Sequence, residues 1–414
     1  MVQRVGMHNS AQSGSRPADA DPAAPDTDAA ASDAAAAFDA DTEPSQRWYA
    51  RPAARSWTCG PAPSGVRSFH ESLPGYAPTP LTEVPALAGE LGVGRLFVKD
   101  ESARLGLPAF KVLGASWAAH RALSARVRGT APATLGELRE RIASLPPVRL
   151  VTATDGNHGR AVARIARLLR LPAQVFVPDG IHPAAVADIT AEGAEVARVP
   201  GSYDEAVRQA RRAADGPSGL LLQDTAWPGY EEIPGWIVEG YSTLFAEIDE
   251  QLRASGAGTA DLVTVPVGVG SLAQAAVAHY RSRTEGPPPS LLAVEPDVAA
   301  CVLASLLEGR PRTVETGITT MAGLNCGTPS SLAWPFLRDG LDTAVAVTDA
   351  ASGRAVLDLG ALGISSGPCG AASLAGLRTA LAGADGAARR ESLSAGRDCT
   401  VVLLSTEGTA ANRH

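Results

Sequence analysis

Lys111 stands alone in "LPAFKVLGASWAAH" (residues 107–120), a small and apolar run in which a solvated ammonium group is out of place. An amine taken out of water among apolar neighbours has a depressed pKa and a reactive neutral form. The competing reading is a snorkelling surface lysine, its stem on apolar surface and its head in water. Two glycine-bearing loops offer a second kind of chemistry, "DGNHGRA" (155–161) and "PVGVGS" (266–271). Each follows an apolar run and opens a helical one, so free N–H groups and the positive end of a helix dipole would face an anion such as a phosphate. Taken alone, each loop reads equally well as a tight turn that binds nothing. "GVGS" is neither a Walker A loop, lacking the trailing Gly-Lys-Ser/Thr, nor GxGxxG. Asp155 and Asp224 each lie just beyond an expected strand. There a carboxylate can meet a cationic substrate or simply cap a helix.

The elements that must position these residues alternate along the chain. "RLFVKD" (95–100), "VRLVTAT" (148–154), "AQVFVP" (173–178), "AEVARVP" (194–200), "DLVTVPVG" (261–268), "SLLAVEP" (290–296) and "CTVVLLS" (399–405) read as buried strands. Between them, "GRAVARIARLLR" (159–170) and "SYDEAVRQARRAAD" (202–215) have helical spacing. Such alternation predicts an α/β fold of mostly parallel twisted sheets with helices on both faces, and ligands at the carboxyl ends of the strands. Breaks are expected at 128–136, 285–290 and 383–398. Residues 1–45 are an Ala/Asp/Pro/Ser tract with too little apolar surface to offset its ordering entropy, so a disordered tail is expected there.

Composition narrows the function. A chain of 414 residues exceeds one comfortable core. Its formal charge of −8, with no basic stripe, argues against nucleic acid as a partner. No apolar run reaches the roughly 18 residues that span a bilayer, and no secretion signal is evident, so a cytoplasmic protein without a membrane partner is expected. The five cysteines are far apart with no CxxC pair, and the seven histidines include no HExxH. Neither a metal site nor a disulfide scaffold is expected from that pattern. Cys301 and Cys326 are the one conceivable pair, and reduced thiols are the expectation for them.

Several ordered stretches resemble one family. "YAPTPL", "VKDES", "AFKVLGASWA", "ATDGNHGRAVA", "LLQDTAWPGYEEIPGWIVEGY", "PVGVGS", "VEP", "MAGLNCGTPS" and "LLSTEG" are similar to the fold-type II pyridoxal-phosphate (PLP) enzymes, the tryptophan synthase β-like group. Within that group they look most like the diaminopropionate ammonia-lyases. The resemblance runs from about residue 68 to 408. It implies PLP as cofactor, a small amino acid as substrate and a homodimer. It also implies a large domain of residues 46–118 and 240–414 and a smaller inserted α/β domain of 119–239. By resemblance Lys111 is the Schiff-base lysine and Asn157 the donor to the ring 3′-oxygen. Gly268, Val269, Gly270 and Ser271 bind the phosphate through backbone N–H groups, and Thr406 faces the pyridine nitrogen, with Ser405 and Ser366 as runners-up. Lys111 and Asp155 would remove the Cα proton of the L and D isomers, and Asp224 would anchor the β-ammonium.

His158 reads as part of the turn, and Trp227, Tyr230 and Trp236 as pocket walls or plain packing. Pro108, Ala115, Trp117 and Pro228 depart from the family pattern. The activity implied is α,β-elimination of D- or L-2,3-diaminopropionate to pyruvate and two ammonia through an aminoacrylate. Open alternatives are a β-replacement synthase, a serine/threonine dehydratase-like enzyme, or a PLP-binding protein without turnover.

Overall fold

Each apolar run singled out above is a strand in the computed structural model, which describes residues 47–61, 63–154, 156–283 and 286–411. Among the described residues the strands are β1 (Trp48–Ala50), β2 (Leu81–Glu83), β3 (Arg95–Asp100), β4 (Arg149–Ala153), β5 (Ala173–Pro178), β6 (Glu195–Val199), β7 (Gly219–Leu221), β8 (Leu262–Pro266), β9 (Ser290–Pro296), β10 (Thr343–Val347) and β11 (Thr400–Ser405). A seven-stranded sheet runs β1-β10-β9-β8-β11-β3-β2, and a four-stranded sheet runs β6-β5-β4-β7. Pairing is parallel throughout except at the two edges of the larger sheet, β1 with β10 and β2 with β3. Strands β8 to β11 are buried along their whole length, as expected for parallel strands covered by helices on both faces.

Three strands escape the sequence reading. β1 and β2 are too short to show a period, and β10 ("TAVAV") is diluted with alanine. β7 is the strand expected before Asp224. The stretch 383–398 is not a plain break either, because it contains the helix Gly386–Leu393. Its interior "AARRESL" consists mainly of good helix formers, and the burial of Leu393 anchors it. Flanking glycines hide it from a reading based on breakers.

Two packing features set the frame of the site. Helix Val112–Ser124, buried over nearly all its length, begins immediately after Lys111. It meets helix Glu232–Gly240 at very short range. A Cβ on Gly114 would lie 2.7 Å from Ile237 Cγ2, and one on Gly240 would lie 2.5 Å from the Leu113 carbonyl oxygen. Beneath the loop leading to Lys111 lies a buried set of charges, Lys99, Glu101, Arg104 and Glu247. The Glu247 carboxylate accepts from Lys99 Nζ at 2.7 Å, from Arg104 at 2.7 and 2.8 Å, from the Tyr76 hydroxyl at 2.9 Å and from Thr79 N at 3.2 Å. Arg104 also donates to Glu101 at 2.7 and 2.8 Å, so two cations face two anions in a fully bonded network. Such a network offsets the desolvation cost of its charges only while every partner is present. Among the described residues no helix is long and apolar enough to cross a membrane.

Candidate active site

Each described candidate residue lies just beyond the carboxyl end of a strand, where a parallel sheet places its ligands. Lys111 follows β3 through the loop 101–110, Asn157 follows β4, Asp224 follows β7, the glycine loop follows β8 and Thr406 follows β11. Asp155 lies outside the described residues.

The Lys111 amine is not surrounded by apolar groups alone. Nζ donates to Asp224 Oδ2 at 2.8 Å, with the two side chains 27% and 15% exposed. The small and apolar residues around it in sequence belong to the buried helix that Lys111 precedes, so they describe that helix rather than the surroundings of the amine. Burial pushes the Asp224 carboxyl upward, but the His158 ring and the Lys111 ammonium outweigh it and hold it well below the usual carboxylate range. Gln223 fixes the position of Asp224. Its Nε2 donates to Asp224 Oδ1 at 3.4 Å and to the Tyr203 hydroxyl at 2.7 Å. Its Oε1 accepts from Ala153 N at 2.9 Å, tying the end of β7 to the end of β4.

His158 belongs to the site as well as to the turn. Its Nε2 lies 2.8 Å from the Leu222 carbonyl oxygen, and its Nδ1 lies 3.7 Å from Asp224 Oδ2. The turn itself is closed by Thr154, whose hydroxyl accepts from Gly156 N at 2.9 Å and Gly159 N at 3.1 Å. A Cβ at Gly159 would stand 2.2 Å from Thr154 Cγ2, so only glycine fits there. Asn157 opens the next helix, Asn157–Leu169, and its Nδ2 donates to Glu407 Oε2 at 2.9 Å.

Glu407 lies in the segment that follows β11. The Lys111 loop docks on that segment: Phe110 N donates to the Thr406 carbonyl at 3.3 Å, Gly408 N donates to the Pro108 carbonyl at 2.9 Å, and Ala109 bridges to Glu407. Ser405 donates to the Ser366 hydroxyl at 2.8 Å, so these two buried hydroxyls are paired with each other. Thr406, also buried, has no hydroxyl bond of that kind among the described residues. The glycine loop reaches the others through the sheet, β8 being the neighbour of β11. Gly270 has φ +102° and leads into helix Ser271–Arg281. A Cβ there would lie 2.6 Å from Leu337 Cδ1, and one on Gly268 would lie 3.0 Å from Cys326 Sγ. Cys301 is a buried free thiol.

Two departures from the family pattern have a structural account. Trp227, Pro228, Gly229 and Tyr230 form a turn closed by Tyr230 N on the Trp227 carbonyl at 2.8 Å, with Gly229 at φ +84°. Proline second and left-handed glycine third is a type II pattern, which Pro228 favours. Trp227 and Tyr230 stack at 4.4 Å, and the Tyr230 hydroxyl donates to the Leu221 carbonyl at 2.9 Å, bracing the strand end beside Asp224. Trp117 donates its indole N–H to Glu239 at 2.9 Å, a second tie between the two close-packed helices. Trp236 lies under the Arg121 guanidinium at 5.1 Å.

Known proteins place this arrangement in context. The diaminopropionate ammonia-lyase of Salmonella typhimurium is 39% identical over 310 residues, covering 73% of this chain and 76% of that protein. The diaminopropionate ammonia-lyase of Escherichia coli K12 is 34% identical over 359 residues, 84% of this chain and 89% of that protein. The crystal structure of the Escherichia coli enzyme in complex with an aminoacrylate-PLP azomethine reaction intermediate superposes with a TM-score of 0.76 at 33% identity, covering 86% of this chain and 91% of that one. Residues 72–404 match the profile of the pyridoxal-phosphate dependent enzymes, and to that family the chain belongs.

Proposed function

We propose that the protein is a diaminopropionate ammonia-lyase, which converts 2,3-diaminopropionate to pyruvate and two ammonia. The observation that carries this reading is the Asp224 carboxylate, held ionised 2.8 Å from the Lys111 amine. An anion placed there suits a substrate with a β-ammonium group and offers nothing comparable to a β-hydroxyl.

The residues present fit pyridoxal phosphate. A Cβ on Gly268 or Gly270 would run into Cys326 or Leu337, which keeps the loop close to its neighbours, and the loop opens onto the N-terminus of an 11-residue helix, a setting suited to a phosphate. Lys111 supplies the amine for the Schiff base, Asn157 a donor for the ring 3′-oxygen, and Thr406 a hydroxyl for the pyridine nitrogen. When bound, the cofactor supplies an electron sink for the pair left on Cα by proton removal. With the cofactor bound, the Lys111 amine would take the Cα proton of the L isomer at Nζ. Asp155 does so for the D isomer from the other face. Asp224 binds the β-ammonium and directs it out as ammonia. His158 and Gln223 keep the Asp224 carboxylate charged and aimed. Hydrolysis of the unsaturated amine then gives pyruvate and the second ammonia.

The test is incubation with D- and L-2,3-diaminopropionate and with both serine isomers, measuring pyruvate and ammonia. Two ammonia per pyruvate from diaminopropionate supports the reading. A substituted amino acid in place of pyruvate would identify a β-replacement synthase and overturn it. The proposal extends to a cytoplasmic homodimer, with residues 119–239 as a smaller inserted domain. Exposed Leu357 and Leu362 on and just after helix Asp349–Ala361 are compatible with a subunit contact. A monomeric mass independent of concentration in light scattering counts against the dimer.

A further inference from the structure

Glu407 is a buried carboxylate with a built cradle. The residue is 3% exposed and its carboxylate is bonded at both oxygens: Oε2 accepts from Asn157 Nδ2 at 2.9 Å, and Oε1 accepts from Cys369 N at 3.1 Å. Cys369 lies in the first turn of helix Pro368–Leu381, where a negative charge is favoured by the free N–H groups and the helix dipole. The backbone of Glu407 is equally committed. Its carbonyl accepts from Gly367 N at 2.9 Å, and the residue bridges to Ala109, two positions before Lys111. The space for its side chain depends on glycine. A Cβ on Gly367 would lie 3.0 Å from Glu407 Oε1, and one on Gly370 would lie 3.0 Å from the Glu407 carbonyl oxygen. One residue thus joins the lysine loop, the Asn157 helix and the N-terminus of a third helix.

We infer that Glu407 is a positioning residue that fixes the orientation of the Asn157 amide. An asparagine amide has two orientations of similar shape, differing only in which end donates. A carboxylate only accepts, so Glu407 selects the orientation in which Nδ2 faces it. One Nδ2 hydrogen is then spent on Glu407, and the second is left to donate to the ring 3′-oxygen of the cofactor. A neutral amide at position 407 would remove that selection, since it can donate to Asn157 Oδ1 as readily as it can accept. The inference rests on the reading that Asn157 binds the cofactor.

The test compares Glu407→Gln, Asn157→Ala and the double variant with the wild-type protein, all first stripped of cofactor. Pyridoxal phosphate is titrated back and followed by the Schiff-base absorbance, and thermal unfolding of each stripped protein is recorded. Glu407→Gln keeps shape and can still accept from Cys369 N. It is expected to unfold near the wild-type temperature, to bind the cofactor about 10-fold more weakly and to shift the pH dependence of the absorbance band. Asn157→Ala is expected to weaken binding at least as much, and the double variant no more than Asn157→Ala alone, because the two residues act through one bond. Full additivity, or wild-type binding and band in Glu407→Gln while Asn157→Ala binds weakly, overturns the role of Glu407. Unchanged binding in Asn157→Ala instead removes the underlying reading of Asn157, a separable failure. If Glu407→Gln does not fold, Asn157→Asp carries the test by setting a second carboxylate against Glu407. Cofactor binding by that variant should weaken as pH rises, and binding independent of pH overturns the inference.

Discussion

Replacing Asp224 by asparagine separates charge from shape at the centre of the site. Asparagine retains the volume and an oxygen that can accept from Lys111, and loses only the negative charge. Two unit charges 2.8 Å apart at an effective dielectric constant near 20 attract by about 6 kcal/mol. Both side chains are partly exposed, at 27% and 15%, and water screens much of that attraction. A charge-assisted hydrogen bond in such a setting contributes about 1.5–3 kcal/mol net. If that stabilisation is used at the transition state, kcat/KM falls about 10- to 150-fold. The loss should appear with both D- and L-2,3-diaminopropionate, since the leaving amine is common to them, and pyruvate release measures it directly. The pH profile gives a control. The carboxyl is held below its ordinary value in the folded protein, so its charge is present at and above that value and is lost only as pH falls below it. Titration of Asp224 itself therefore contributes no acid limb to kcat/KM above about pH 5 in the wild type. Activity within twofold of wild type on both isomers would refute the reasoning and return Asp224 to the role of a braced strand end.

Three further outcomes are expected. Lys111→Ala should abolish the Schiff-base absorbance and nearly all turnover, and a band that survives and is fixed by borohydride at another lysine would reassign the position. Asp155→Asn should lose D-isomer turnover by about 10²–10⁴-fold and fall less on the L isomer, and equal losses on both would remove its role as a base for one face. Glu247→Gln leaves Lys99 and Arg104 buried without their shared anion, which should cost about 3–5 kcal/mol and lower the apparent Tm by about 4–8 °C in differential scanning fluorimetry. Burial pushes the Glu247 carboxyl up, but Arg104 and Lys99 outweigh it and bring it down to about 2. The stability it contributes is complete above the ordinary glutamate value and is lost as pH falls toward about 2, so wild type and variant should converge over that interval.

What the sequence made legible follows from the range over which each physical signal acts. Parallel strands buried on both faces are continuous apolar runs, so β3, β5 and β9 are bounded correctly to the residue. The glycine loop is equally local, since the glycines at 268 and 270 and the helix they open lie within a few residues of one another. Partners far apart in the chain leave no such trace. Lys111 and Asp224 are separated by 113 positions and Asn157 and Glu407 by 250, and neither pairing can be read from periodicity. The apolar neighbours of Lys111 single it out in the sequence, yet they describe the helix behind it rather than the anion in front of it. His158 illustrates the same limit. Its spacing within "DGNHG" places it on the first turn of a helix, but only the return of the chain at Leu222 and Asp224 brings its ring against a carboxylate. Glu407 was hidden in another way, because a charged residue between Thr406 and Gly408 at the end of a buried strand reads as the point where the chain returns to water. The glycines at 367 and 370 are the compensating signal. They stand where a neighbouring chain needs room, and the side chain that takes that room is the one that holds Asn157.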